Sequence, residues 1–140
     1  MMEGLEAAVL LLLAVPAAVA IRARWLGCYP AFVPEWEPRA EMRAAALLRD
    51  LLSESERAEL GSRGFLSVPS PGIAGRVYRV PARHGHVQVY EAGELAMAIC
   101  VQPTAWLPPD DVVAMHKLMI EGNEGEYLRR ARVHWRRATG

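Results

Sequence analysis

The spacing of apolar positions changes several times along the chain, and each change marks an element. Residues 7–21 are apolar without a break. Residues 39–52 then take helical spacing: Ala44, Ala45, Leu48, Leu51 and Leu52 share a face while Arg43, Arg49 and Asp50 fall elsewhere. Ser53 to Glu56 has the form of a capping box that starts a second, short helix, and Gly61 and Gly64 supply its stop. Residues 65–68 read as a short strand closed by Pro69. After a Pro/Gly-rich loop, residues 76–80 and 86–90 alternate with the period of half-buried strands. Residues 95–102 are nearly continuous in apolar character, as a central strand is. Helical spacing returns over residues 110–121, with Asp110 and Asp111 suited to the positive helix start, and Gly122-Asn123 ends that run. A last helix is expected over residues 124–135. The order is ααβββαα, an α+β domain in which a small antiparallel meander is covered by helices.

The apolar N-terminal run implies three segments: an anchor with its juxtamembrane stretch (1–29), a proline-rich linker (30–38) and a globular domain (39–140). A helix needs about 20 apolar residues to cross a bilayer. Residues 5–26 reach that length if Arg22 and Arg24 snorkel to the headgroups, with Trp25 and Tyr29 at the interface. A cleaved signal would want a basic start, which is missing, although Ala18-Val19-Ala20 imitates a cleavage site. A lipoprotein would use Cys28, whose preceding residues fit poorly. A buried soluble helix is the remaining alternative. Because both arginines follow the run, the expected orientation is N-terminus outside and domain cytoplasmic, in the inner membrane of a bacterium. Cys28 and Cys100 lie far apart in different contexts, which argues against a disulfide framework and suits a reducing compartment.

Charge narrows the function classes. Residues 39–140 hold 14 Lys/Arg and 12 Asp/Glu, a balance of +2 and no general field for nucleic acid. Lys117 is the sole lysine among 16 Lys+Arg, as in a GC-rich genome. Phosphate-binding glycine loops, paired catalytic carboxylates, CxxC and nucleophile elbows are missing, so no cofactor is expected.

Several stretches together carry a resemblance. They are Leu52 to Glu56 leading to Gly64 to Val68, then Gly75 to Val80, Ile99 to Pro103, Met115 to Glu121 and Glu126 to Arg129. The set resembles a small α+β domain scattered through bacterial and phage proteins, over roughly residues 40–135. It implies a fold and no activity.

Candidate chemistry is sparse. His84 and His86 alternate as strand residues that share a face, and Cys100 with His116 would complete four metal ligands. A polar turn with solvent-facing histidines explains the pair as well. Cys100 with His116 also has the form of a nucleophile and base, although a cysteine inside an apolar strand is ordinarily inert. Lys117 is placed to pair with Glu121. Arg129, Arg130, Arg132, Arg136 and Arg137 with Trp135 form a basic cluster for anionic lipid or nucleic acid, or simply a solvated helix end. Phe32, Val33, Trp36 and Trp106 are candidate partner contacts. The expected function is a membrane-anchored, non-catalytic interaction module, with a protein partner in a larger membrane complex. The alternatives are a nucleic-acid-binding domain using Arg76, Arg79 and Arg83 with the C-terminal arginines and, more distantly, a small metal-dependent enzyme.

Overall fold

The chain divides into two units, Met1–Val33 and Pro34–Gly140. The computed structural model describes residues 37–138, within the second unit. The proposed anchor and Phe32, Val33 and Trp36 lie outside the described residues. Among those described, no helix is long and apolar enough to cross a membrane.

The described unit is α+β. Helix α1 spans Pro38–Leu51, with proline in its first turn, where no intrahelical donor is lost. Ala44 and Leu48 face inward and Leu52 closes the end, whereas Ala45 is exposed. Helix α2 spans Glu54–Arg63. Its capping box forms in both directions: the Ser53 side chain accepts from the Glu56 amide, and the Glu56 carboxylate accepts from the Ser53 amide. Gly64 ends α2 at φ 74°, a left-handed position natural to glycine.

The sheet holds five strands in the order β1-β2-β3-β4-β5: Phe65–Pro69, Arg76–Pro81, Val87–Glu91, Glu94–Cys100 and Arg132–Arg136, all antiparallel. The expected three-strand meander is therefore too small. The short run at Phe65 pairs fully with β2, and a fifth strand comes from the C-terminal segment. The expected helix over residues 124–135 is likewise too long. Helix α3 runs Pro109–Arg130, and its sequence-level stop survives as a break at Asn123 (φ −159°, ψ 81°). The Asn123 side chain then accepts from the Glu126 amide and caps the final turns. Beyond Arg130 the chain is extended, because Arg132, Val133, Trp135 and Arg136 gain a ladder against β4 that no helix could supply.

Strand alternation gives the sheet two faces. Leu66, Val68, Tyr78, Val80, Val87, Val89, Met97 and Ile99 point to one face, all buried. With Leu48, Leu52, Val113, Ala114, Ile120 and Tyr127 from the helices they form one core. Phe65, Ser67, Arg79, Gln88, Tyr90, Ala98 and Cys100 alternate to the other face.

The β3–β4 turn has Ala92 at φ 50° and Gly93 at φ 81°, the primed geometry that fits the twist of a hairpin. An alanine there strains its Cβ against the following carbonyl at a cost of about 1 kcal/mol, which asparagine lessens. Ala92→Asn is expected to stabilise the domain by roughly 0.5 kcal/mol. Urea unfolding of the variant and the parent checks this, and an unchanged or lowered midpoint would count against the strain.

Candidate functional site

The polar groups inside the fold are largely partnered by one another. Lys117, on the buried side of α3, is 7% exposed. Its Nζ donates to Glu56 at 2.7 Å and to Glu121 at 2.5 Å. The pairing with Glu121 follows the helical spacing, whereas Glu56 arrives from α2, so one carboxylate both caps α2 and ties it to α3. Burial alone would lower the Lys117 pKa, but hydrogen bonds to Glu121 and Glu56 raise it above the ordinary lysine value. His116 is 5% exposed, and its Nδ1 lies 2.9 Å from the Tyr127 hydroxyl. Burial lowers the imidazole pKa to about 4. Burial also raises that of Tyr127. The histidine is therefore neutral and shares one hydrogen bond with the Tyr127 hydroxyl.

A second cluster surrounds the break in α3. The Glu124 carboxylate accepts from the Tyr78 hydroxyl at 2.5 Å and from Ser70 Oγ at 2.7 Å, and lies 3.4 Å from Arg76. Burial acts to raise its pKa, but these hydrogen bonds from Tyr78, Ser70, Gly72 and Arg76 hold it below the usual carboxylate range. A Cβ at Gly72 would come within 3.2 Å of Glu124 Oε2, so glycine keeps this approach open. Arg76 also pairs with Glu91 at 2.5 Å.

On the other face of the sheet, the Arg79 guanidinium lies 4.9 Å from the Phe65 ring centroid and 4.1 Å from that of Tyr90. Arg76 and Arg79 are three residues apart on a regular strand and so occupy opposite faces. Arg83 lies in the turn before β3. The three arginines do not form one surface.

The metal candidates also separate. His116 is on the helix side of the sheet, inside the core. His86 stacks on His134, with ring centroids 4.1 Å apart, and its buried Nε2 has no hydrogen-bond partner among the described residues. Burial first, and the charge of His134 second, lower the His86 pKa. Cys100 is disulfide-bonded, so it offers neither a thiolate nucleophile nor a metal ligand. His84 lies in the turn before β3. Among the described residues no group of three or more His, Cys, Asp or Glu side chains is arranged to hold a metal ion. His134 was not legible as a partner of His86, since 48 residues separate them and β5 was read as helix.

The C-terminal arginines divide into two sets. Arg129 and Arg130 remain on α3 and pair with Glu126, and Arg137 pairs with Glu94. Arg132 and Arg136 stand at the two ends of β5, and neither has a carboxylate within ion-pair distance among the described residues. Every residue of β5 is exposed. Val133 and Trp135 are each 46% exposed. Beside the strand lies a groove with apolar lining from Met97, Leu128 and Val133 and charged lining of both signs, from Glu91 and Glu94 as well as Arg76, Arg136 and Arg137. Trp106 is exposed in the loop before α3. The two sheet edges differ. On β1, the Ser67 amide and hydroxyl donate to Glu59 of α2 at 2.9 and 2.8 Å. On β5, no strand among the described residues pairs with the side away from β4. This edge and its groove are the surface best built for a ligand.

Two predictions concern the interior. His116 binds fewer protons folded than unfolded between about pH 4 and 6.5, so stability is complete above pH 6.5 and falls as pH drops. Lowering the pH from 7 to 5 is expected to remove about 2 kcal/mol through His116, and His86 adds in the same direction. In His116→Gln most of this pH dependence should vanish in urea titrations at the two pH values; a slope equal to the parent's would exclude His116 as the cause. Lys117→Met leaves Glu56 and Glu121 without their cation. With both carboxylates partly solvated, the expected loss is about 2 kcal/mol rather than the ~3–5 of a fully buried pair. A loss under ~0.5 kcal/mol would show the triad to be a surface feature.

No protein family, curated protein or solved structure matches the chain.

Proposed function

We propose that the chain is a membrane-anchored, non-catalytic interaction module, acting as an accessory subunit of a larger membrane complex. The attachment rests on the apolar run and flanking residues over 5–26, long enough to span with snorkelled arginines. The observation that carries the interaction reading is the contrast within the domain. Its buried chemical groups hold the fold together, whereas β5 leaves a strand edge, two arginines and a tryptophan facing outward. That is the composition of a surface meant to be covered.

The nucleic-acid reading has less behind it. Arg79 already stacks on the two rings that would receive bases, and Arg76 is neutralised by Glu91 and Glu124. The metal-enzyme reading loses its ligand set through the Cys100 disulfide and the burial of His116.

The side of the membrane is a separate matter. The arginines after the apolar run favour a cytoplasmic domain. A disulfide at Cys100 favours an oxidising compartment, because cytosolic thiols are kept reduced.

The test is mild-detergent purification of the tagged full chain from its own membranes, with mass spectrometry of what is retained. Recovery from the carbonate-resistant fraction with stoichiometric companions is the expected result. A soluble chain recovered alone would overturn the proposal. Alkylation with a heavy maleimide in intact cells, with and without reductant, settles the side. A mass shift that requires reductant places Cys100 in an oxidising compartment; a shift without it restores the cytoplasmic orientation.

A further inference from the structure

The geometry points to β5 as the docking edge for an extended acidic peptide, which joins the sheet as a sixth strand with carboxylates facing Arg132 and Arg136. The inference rests on the reading of this chain as an interaction module and names the chemistry of its partner.

The backbone is available for such an addition. The Arg137 amide donates to the Ala96 carbonyl at 2.9 Å. In an antiparallel ladder, neighbouring residues turn their amides and carbonyls to opposite sides. The Arg136 backbone groups therefore face away from β4, toward the open edge. The opposite edge, at β1, is closed by α2 through Glu59. Among the described residues, the ladder left for an incoming strand is at β5.

Charge selects the occupant. A second copy pairing its own β5 antiparallel about His134 would set Arg132 against Arg136, and like charges opposite one another are destabilising. The same arginines favour a strand bearing carboxylates. The bulge in the β4–β5 register gives the spacing. Arg136 pairs with Met97 and Arg132 with Cys100, so four steps along β5 match three along β4. Arg132 and Arg136 consequently project from opposite faces. A regular incoming strand opposes them with acidic residues at positions i and i+3, as β4 does with its own pair. The two residues between lie against Trp135 on one face and Val133 on the other, the second beside the groove formed with Met97 and Leu128. The sequence class is acidic–apolar–apolar–acidic.

The probe is a fluorescein-labelled peptide with the core Glu-Val-Val-Glu, titrated onto the full chain in zwitterionic nanodiscs, with empty nanodiscs as blank. Binding is expected, with hydrogen-exchange protection confined to the segment from Arg132 to Arg137. The double variant Arg132→Glu, Arg136→Glu should weaken it roughly tenfold. A peptide with lysines in place of the glutamates should bind that variant as the original binds the parent, which also shows that the variant is folded. Equal binding of a glutamine-substituted peptide, protection elsewhere, or a dimer in which these amides are protected without peptide would overturn the assignment. The broader reading fails separately. If companions co-purify equally with parent and double variant, the β5 assignment falls and the module stands. If none co-purify with the parent, the module reading falls whatever the peptide does.

Discussion

The Glu124 carboxylate stands where helix α3 stops being helical, and the rest of the domain is arranged around that point. The Tyr78 hydroxyl sits in the middle of the sheet with its residue fully buried, and a hydroxyl there needs an acceptor. Glu124 supplies it, and it also gathers Ser70 and Arg76 from the two ends of the β1–β2 loop. The break at Asn123 brings this carboxylate to the sheet, and the turns that follow carry Tyr127 into the core. The chain that follows pairs with β4 as β5.

The same economy of polar groups marks the helix side. Glu56 closes the N-terminus of α2 and also binds Lys117, so a local capping interaction doubles as a tertiary one. His116 and Tyr127 satisfy one another. Residues that suggested chemistry in sequence (His116, Lys117, Cys100) are thus structural parts. At the β5 edge, Arg132 and Arg136 have no carboxylate within ion-pair distance among the described residues. A protein that exposes a strand edge guarded by like charges resists pairing with itself and accepts a partner of opposite sign.

Both helix starts, the capping box, the glycine stop of α2 and the alternation in β2 and β3 were legible in the sequence, because each depends on neighbours within a few residues. The buried face of α3 was legible for the same reason: Val113, Ile120 and Lys117 with Glu121 follow the helical repeat. The candidate site was not. Residues 132–136 carry Val, Trp, His and two arginines, a composition compatible with the end of a helix or with a strand, and their state is set by a β4 edge more than 30 residues away in sequence.

What the sequence determined by itself is the local grammar: which stretches repeat at 3.6 or at 2, where helices start and stop, and that a long apolar run precedes the domain. The tertiary structure alone decided the fifth strand, the separation of Arg76 from Arg79 and of His86 from His116, the disulfide at Cys100 and the division of the C-terminal arginines into paired and unpaired sets. The reason is physical. Period and capping are energies between near neighbours in the chain, whereas strand pairing, burial and ion pairing depend on groups that meet only after the chain has turned back on itself.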